Sequence, residues 1–168
     1  MKISLVGLGP GVHQFHFEEK PAMWGLENHP NLRANILLDV QLEKAPTHLY
    51  LRNHIQTLGR FECDRCLSEF EMMLEEVGRV MFSDDLDLVQ SSDEEIRTFD
   101  PDAREVDITD DVRDLLLLSI PAKLLCRKDC KGLCAGCGVN LNEESCRCAS
   151  QAVDPRWQAL QQLLDNSK

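Results

Sequence analysis

The stretch LRANILLDVQLE at residues 32–43 places apolar side chains at every second position. The alternating residues are Leu32, Ala34, Ile36, Leu38, Val40 and Leu42, and Leu37 alone is out of step. A period of two residues is typical of a β-strand that buries one face and exposes the other. We therefore expect the fold to be organised around this strand.

Two further runs show the same alternation. They comprise Leu49, Leu51, Ile55, Thr57 and Phe61, followed by Phe70, Met72 and Leu74. Pro46 lies in the first junction and the tetrapeptide CDRC at residues 63–66 forms the second, and both junctions are short enough to join antiparallel neighbours. The three runs predict an antiparallel β meander or a partly open barrel.

A helix is predicted over residues 109–120. Thr109 is suited to cap it, and Asp110 and Asp111 fall in its first turn, where the helix dipole favours negative charge. The apolar stripe comprises Ile108, Val112, Leu115, Leu116 and Ser119. Pro121 cannot continue a helix and ends the pattern.

A short helix is also predicted within residues 151–168. Asp154 is its expected N-cap, and its apolar positions are Trp157, Leu160, Leu163 and Leu164. The expected class is therefore α+β. One structural unit would comprise a β region with one packed helix in residues 1–120, a Cys-rich zinc module in 121–150 and a C-terminal helix in 151–168.

Charge is distributed unevenly along the 168 residues. The net charge is −11, the wrong sign for a protein held to nucleic acid by an overall basic field. Residues 1–120 sum to −13, and residues 83–107, predicted to form an acidic loop, sum to −8. Residues 121–148 sum to +2. Candidate contacts to RNA phosphates there are Lys123, Lys128, Lys131 and Arg147, although these cations also suit charge compensation of nearby thiolates.

Eight cysteines are the main chemical signal. The N-terminus lacks the apolar run of a secretory signal, and no apolar stretch is long enough for a membrane span, so we expect a cytoplasmic protein without a membrane partner. In a reducing compartment, cysteines at short spacings favour metal binding over disulfides. Four thiolates suit tetrahedral zinc, so two zinc ions are expected.

The spacing suggests how the cysteines divide. Cys134, Cys137, Cys146 and Cys148 are close in sequence and form one expected site. The other four, Cys63, Cys66, Cys126 and Cys130, would form a second site that pins the tip of the hairpin to the segment after the helix.

Other divisions and chemistries stay open on the residues alone. Cys126 and Cys130 suit a shared metal with Cys134 and Cys137, and one of the two sites could be vestigial. Four thiolates also suit an iron–sulfur cluster. Cys63 and Cys66 alone would suit a thiol redox protein, although such pairs normally stand at a helix N-terminus after a strand.

The same motifs resemble the YceD family, named for large ribosomal RNA subunit accumulation. The resemblance rests on CDRCL at 63–67, LLSIP at 117–121, CKGLCAGCGVNLN at 130–142 and DPRW at 154–157. It implies a non-enzymatic accessory factor that supports accumulation or processing of large-subunit rRNA, with no known catalytic centre. From the charge split we expect the acidic strand and loop surface to bind a basic ribosomal protein and the basic segment to contact pre-rRNA. No small-molecule substrate is expected. A zinc-ribbon transcription regulator is the remaining alternative.

Overall fold

A computed structural model describes residues 1–85 and 96–148. The elements in chain order are β1 (Lys2–Ser4), β2 (Gly11–Glu19), a 3-10 helix (Pro21–Trp24), β3 (Ile36–Lys44), β4 (His48–Glu62), β5 (Glu69–Ser83), β6 (Ile96–Thr98), β7 (Glu105–Asp107) and the α-helix α1 (Thr109–Leu118). Within these ranges the fold is mainly β-structure with one packed helix.

The main sheet has the strand order β2-β3-β4-β5-β6. Strands β2 to β5 follow one another as antiparallel neighbours, which confirms the predicted meander. β2 and β6 are the edges of this sheet among the described residues, so the sheet is not a closed barrel there. β4 and β5 are each 15 residues long and form a hairpin that extends well beyond β2 and β3.

One face of the sheet forms the core. Ile36, Leu38, Val40 and Leu42 are buried along β3, as the alternation predicts, and Leu51 and Ile55 are buried on β4. Burial on β5 continues in the same phase through Leu74, Val80 and Phe82. The 3-10 helix lies in the stretch between β2 and β3 and buries Trp24 completely.

The acidic segment is not entirely a loop. Ile96–Thr98 forms β6, which pairs in parallel with β5, so the sheet is mixed rather than wholly antiparallel. Glu105–Asp107 forms β7, which pairs with β1 and buries Val106 opposite Ile3. Charge patterning missed these strands because each is only three residues long.

Helix α1 packs against β4, β5 and the 3-10 helix through Val112 and Leu116. It ends at Leu118, two residues earlier than predicted, and Ser119 is its C-cap. The prediction that Thr109 caps the helix is wrong, because Thr109 is the first helical residue and Ile108 occupies the N-cap position. Asp107 satisfies this end instead, because its Oδ1 accepts the Thr109 N–H at 2.9 Å.

The expected C-terminal helix in residues 151–168 lies outside the described residues, as do residues 86–95 of the acidic segment. Among the helices in the described ranges, none is long and apolar enough to cross a membrane.

Candidate metal centres

The first cysteine centre comprises Cys63, Cys66, Cys126 and Cys130. The β4–β5 hairpin supplies Cys63 and Cys66 at its tip, between the end of β4 and the start of β5. The segment after α1 supplies the other two sulfurs. The Cys63 and Cys130 sulfurs lie 3.8 Å apart, and those of Cys66 and Cys126 lie 3.6 Å apart. Residues 60 and 67 positions apart in sequence thus meet at one point.

The hairpin tip is a tight turn closed by backbone hydrogen bonds. The Leu67 N–H donates to the Cys63 carbonyl at 2.9 Å, and Leu67 itself adopts the left-handed conformation, with φ of 58°. The Cys63 N–H donates to the Ser68 carbonyl at 3.0 Å. The tight turn brings Cys63 and Cys66 side by side, where both are buried.

Asp64 joins the tip to the segment after α1. Its N–H donates to the Leu124 carbonyl at 2.8 Å, and its Oδ2 accepts the Leu124 N–H at 2.6 Å. Arg65 adds a hydrogen bond from its guanidinium to the Cys130 carbonyl at 2.8 Å. These contacts place Cys126 and Cys130 next to the hairpin cysteines.

The second cysteine centre comprises Cys134, Cys137, Cys146 and Cys148. The Gly138 N–H donates to the Cys134 carbonyl at 2.9 Å, and the Cys134 N–H donates to the Val139 carbonyl at 2.8 Å, which closes the turn around Cys137. The Cys134 sulfur lies 3.4 Å from that of Cys146 and 3.8 Å from that of Cys148. This centre is more open than the first, because Cys137 and Cys146 are exposed.

Both centres have dimensions that suit a tetrahedral thiolate site. Within each group the four sulfur atoms all lie within 4.8 Å of one another. Four sulfurs at about 2.3 Å from a zinc ion would be separated by about 3.8 Å in a regular tetrahedron. The measured separations lie close to this value, so each group could hold one metal ion. The sulfur atoms gather in the two sets of four that the spacing suggested.

Electrostatics in the first centre favour a cation. Burial opposes ionisation of the Cys63 thiol, but the N–H groups of Cys126 and Arg65 outweigh it and lower the pKa to about 6. Burial and the neighbouring sulfur of Cys66 raise the pKa of Cys126 to about 12. A divalent metal among these sulfurs would offset the negative charge of their thiolates.

In the second centre, too, the pKa of one cysteine is lowered and that of another is raised. The N–H groups of Cys137 and Gly136 lower the pKa of Cys134 to about 6. The sulfurs of Cys146 and Cys137 raise the pKa of Cys148 to about 12. The donor set therefore fits a cation that binds thiolates and displaces their protons.

Sequence reasoning assigned no role to several residues around the centres. Asp64 and Arg65 hold the tip, the Ser68 hydroxyl lies 3.5 Å from the Cys66 sulfur, and Asn142 lies 3.3 Å from the Cys130 sulfur. Asp, Ser and Asn beside a cysteine turn are a usable signal, because their short polar side chains readily bond to nearby backbone or sulfur. Only Ser68 contacts a neighbour in sequence, however, whereas the partners of Asp64, Arg65 and Asn142 lie in distant segments.

The four predicted RNA-contact residues are all exposed. Arg147 forms an ion pair with Glu144. Lys123, Lys128 and Lys131 form no side-chain ion pair with any residue in the described ranges. The three lysines are therefore better placed than Arg147 for an anionic ligand.

Comparison with known proteins adds a family. Residues 51–164 match the family model described as large ribosomal RNA subunit accumulation protein YceD. A chloroplastic YCED homolog 1 from Zea mays is 29% identical over 72% of this chain and 51% of its own length. The Arabidopsis thaliana homolog 1 is 38% identical over 39% of this chain and 20% of its own length. This chain thus spans about half of the Zea mays relative and a fifth of the Arabidopsis thaliana relative.

An uncharacterized protein of Mycobacterium tuberculosis is 30% identical over 96% of this chain and 79% of its own length. No solved structure matches. The family match spans more than half of the chain and includes both cysteine centres. On its sequence, and with the sulfur geometry described above, the chain belongs to the YceD family of large ribosomal RNA subunit accumulation proteins.

Proposed function

We propose that this protein supports accumulation of large-subunit ribosomal RNA as a non-enzymatic binding factor with one zinc ion in each cysteine centre. The observation that carries the proposal is the family match, which includes the hairpin tip and every cysteine. Zinc is the metal of choice for closed, four-thiolate sites that hold a chain together. Cysteines that bind metal rather than form disulfides would suit a reducing compartment, for which we propose the cytoplasm.

Metal analysis of protein purified without added zinc tests the cofactor. We expect two zinc ions per chain, and one in a Cys63→Ser variant, which removes a ligand from the first centre alone. Visible absorbance and bound iron would instead indicate a cluster. Thiols that react at once with a thiol reagent, before any chelator is added, would contradict zinc binding and favour the redox alternative.

The partner surface we propose is the exposed face of the sheet, opposite the core. Its carboxylates outnumber its arginines and comprise Glu18, Asp39, Glu43, Glu62, Glu69, Glu71 and Glu75. A groove of about 620 Å³ crosses this face and is lined by Asp39, His54 and Glu75, among others. Hydrogen bonds from Gln56 and His54 lower the pKa of Glu75 and keep it charged at neutral pH. Such a face suits a basic protein segment.

The cysteine-rich end has the opposite character. Lys123, Lys128 and Lys131 are exposed near the first centre and suit phosphate contacts. The protein would thus hold a basic ribosomal protein on the sheet and a stretch of rRNA at the cysteine-rich end. Two separated surfaces of opposite charge support this division of partners.

Charge-reversal variants separate the two surfaces. Asp39→Lys with Glu75→Lys should lose ribosomal proteins in pull-downs and keep rRNA, whereas Lys128→Glu with Lys131→Glu should do the reverse. Depletion of the protein should reduce the large-subunit peak in a sedimentation profile. If neither ribosomal protein nor pre-rRNA is recovered at low salt, the binding proposal is wrong.

A further inference from the structure

We propose that Asn142 couples the two centres by donating a hydrogen bond to the Cys130 thiolate, so that metal in the second centre strengthens metal binding in the first. The inference rests on the metal binding proposed above. It concerns a positioning residue, since Asn142 is not itself a ligand.

The contacts of Asn142 determine which way its amide faces. Its Oδ1 accepts the Lys131 N–H at 2.8 Å and the Arg127 guanidinium at 2.6 Å. Two donors on one side require the oxygen there, so Nδ2 must lie on the other side. Nδ2 lies 3.3 Å from the Cys130 sulfur and 2.8 Å from Asn140 Oδ1. An N–H donor is thereby aimed at a first-centre ligand.

The turn that carries Asn142 belongs to the second centre. Asn140 forms a β-bridge with Leu133, next to Cys134, and the Leu141 N–H donates to the Gly132 carbonyl at 2.9 Å. Residues 138–142 follow directly from the turn around Cys137, which the backbone hydrogen bonds of Cys134 with Gly138 and Val139 close. A metal bound there would hold this turn and, through it, the amide of Asn142.

The turn also approaches the hairpin tip. The Leu133 N–H donates to the Arg65 carbonyl at 2.9 Å, and Gly132 lies so close that an added Cβ would be 3.0 Å from that oxygen. The two centres are thus joined by backbone contacts as well as by Asn142. A hydrogen bond to a metal-bound thiolate disperses its charge and orients it, and loss of such a bond typically weakens metal affinity about 10- to 100-fold.

Asn142→Asp is the sharpest variant. It keeps the shape and the acceptor oxygen but replaces the donor facing Cys130 with a second oxygen. Asn140→Asp is the control for added charge, because it adds the same charge in the same turn and retains the oxygen that accepts from Asn142, while it also removes the Asn140 donor to Glu143. Far-ultraviolet circular dichroism of each zinc-loaded variant would verify that it folds.

The measurement is chelator competition on the full chain loaded with Zn²⁺. The step that disappears in a Cys63→Ser, Cys66→Ser variant reports the first centre. Asn142→Asp should weaken this step about 10-fold, and Asn140→Asp should leave it within about twofold. With the second centre removed by Cys146→Ser and Cys148→Ser, the first centre should be weakened already, and Asn142→Asp should add little.

Loading with Co²⁺ gives an independent readout. Loss of the N–H donor should move the sulfur-to-cobalt charge-transfer band of the first centre to lower energy, which a general loss of stability would not do. An unchanged first-centre step in Asn142→Asp overturns the inference, as does an equal effect with and without the second centre. A chain that binds no metal at all would instead refute the proposed cofactor.

Discussion

The sheet region, the described residues up to Leu118, and the cysteine-rich segment, residues 121–148, keep their shape by different means. The sheet region buries large apolar side chains such as Trp24, Leu51 and Leu116 in one cluster. In the cysteine-rich segment, the residues classed as buried are Cys130 and Gly132. One region is held by apolar burial, whereas the other gathers cysteine sulfurs in place of apolar side chains, and the first cysteine centre is where the two regions meet.

Metal removal should separate the two regions most strongly. A structural zinc ion contributes on the order of 10 kcal/mol to folding, and the cysteine-rich segment buries too little apolar surface to replace it. After chelation, residues 121–148 should lose protection in hydrogen-exchange mass spectrometry, while β3 and β4 remain protected. Simultaneous loss of protection in both regions would show that the sheet depends on the metal as well.

Truncation in the sheet core should have the next largest effect and should leave the metal in place. Leu51 is fully buried on β4, so Leu51→Ala should lower the free energy of unfolding by about 2–5 kcal/mol. Leu58→Ala, on the exposed face of the same strand, should change it by less than about 1 kcal/mol. Denaturant titration with metal analysis checks both variants, and loss of zinc from folded Leu51→Ala would contradict the separation.

Two glycines test how closely the regions approach each other. Gly132 and Gly138 both have positive φ, at 76° and 72°, so alanine at either position should cost about 1 kcal/mol in backbone strain. Only at Gly132 would the new Cβ meet the Arg65 backbone, whereas at Gly138 it would meet nothing within 4 Å. Gly132→Ala should therefore be the more destabilising in thermal unfolding and should also weaken the first centre. Equal effects would argue against close docking at the tip.

The smallest effect should come from the start of α1. Hydrogen bonds from the Thr109 side chain and N–H lower the pKa of Asp107 below its ordinary value of 3.8. A carboxylate with a lower pKa in the folded state stabilises the fold above pH 3.8, and this contribution disappears as the pH falls through the folded value. Asp107→Asn should thus cost less than about 1 kcal/mol at neutral pH, because the group is largely exposed.

Denaturant titration of both chains across pH checks this prediction. The difference between Asp107→Asn and its parent should shrink below about pH 4, where the parent also loses its charge. Metal release at low pH affects both chains alike and cancels in the difference. A difference that stays constant with pH would show that Asp107 acts by packing alone.

Sequence periodicity was sufficient for the long strands because their burial repeats over many residues. Ile36, Leu38 and Val40 on β3 are buried as predicted. It failed for β6 and β7, whose three residues are too few to establish a period, and for the cap of α1, where Asp107 rather than Thr109 supplies the acceptor. The polar neighbours of the cysteines were also missed, because Arg65 and Asn142 meet Cys130 from segments 65 and 12 residues away.

The sequence by itself determined the meander, the position of the helix, the closely spaced cysteines and the resemblance to the YceD family. These features depend on patterns among neighbouring residues, where spacing and side-chain type act directly. Only the tertiary structure decided that the long hairpin reaches Cys126 and Cys130, that β2 and β6 are the sheet edges among the described residues, and that Asn142 faces a sulfur of the first centre. Such contacts arise from the packing of distant segments, which short-range spacing does not encode.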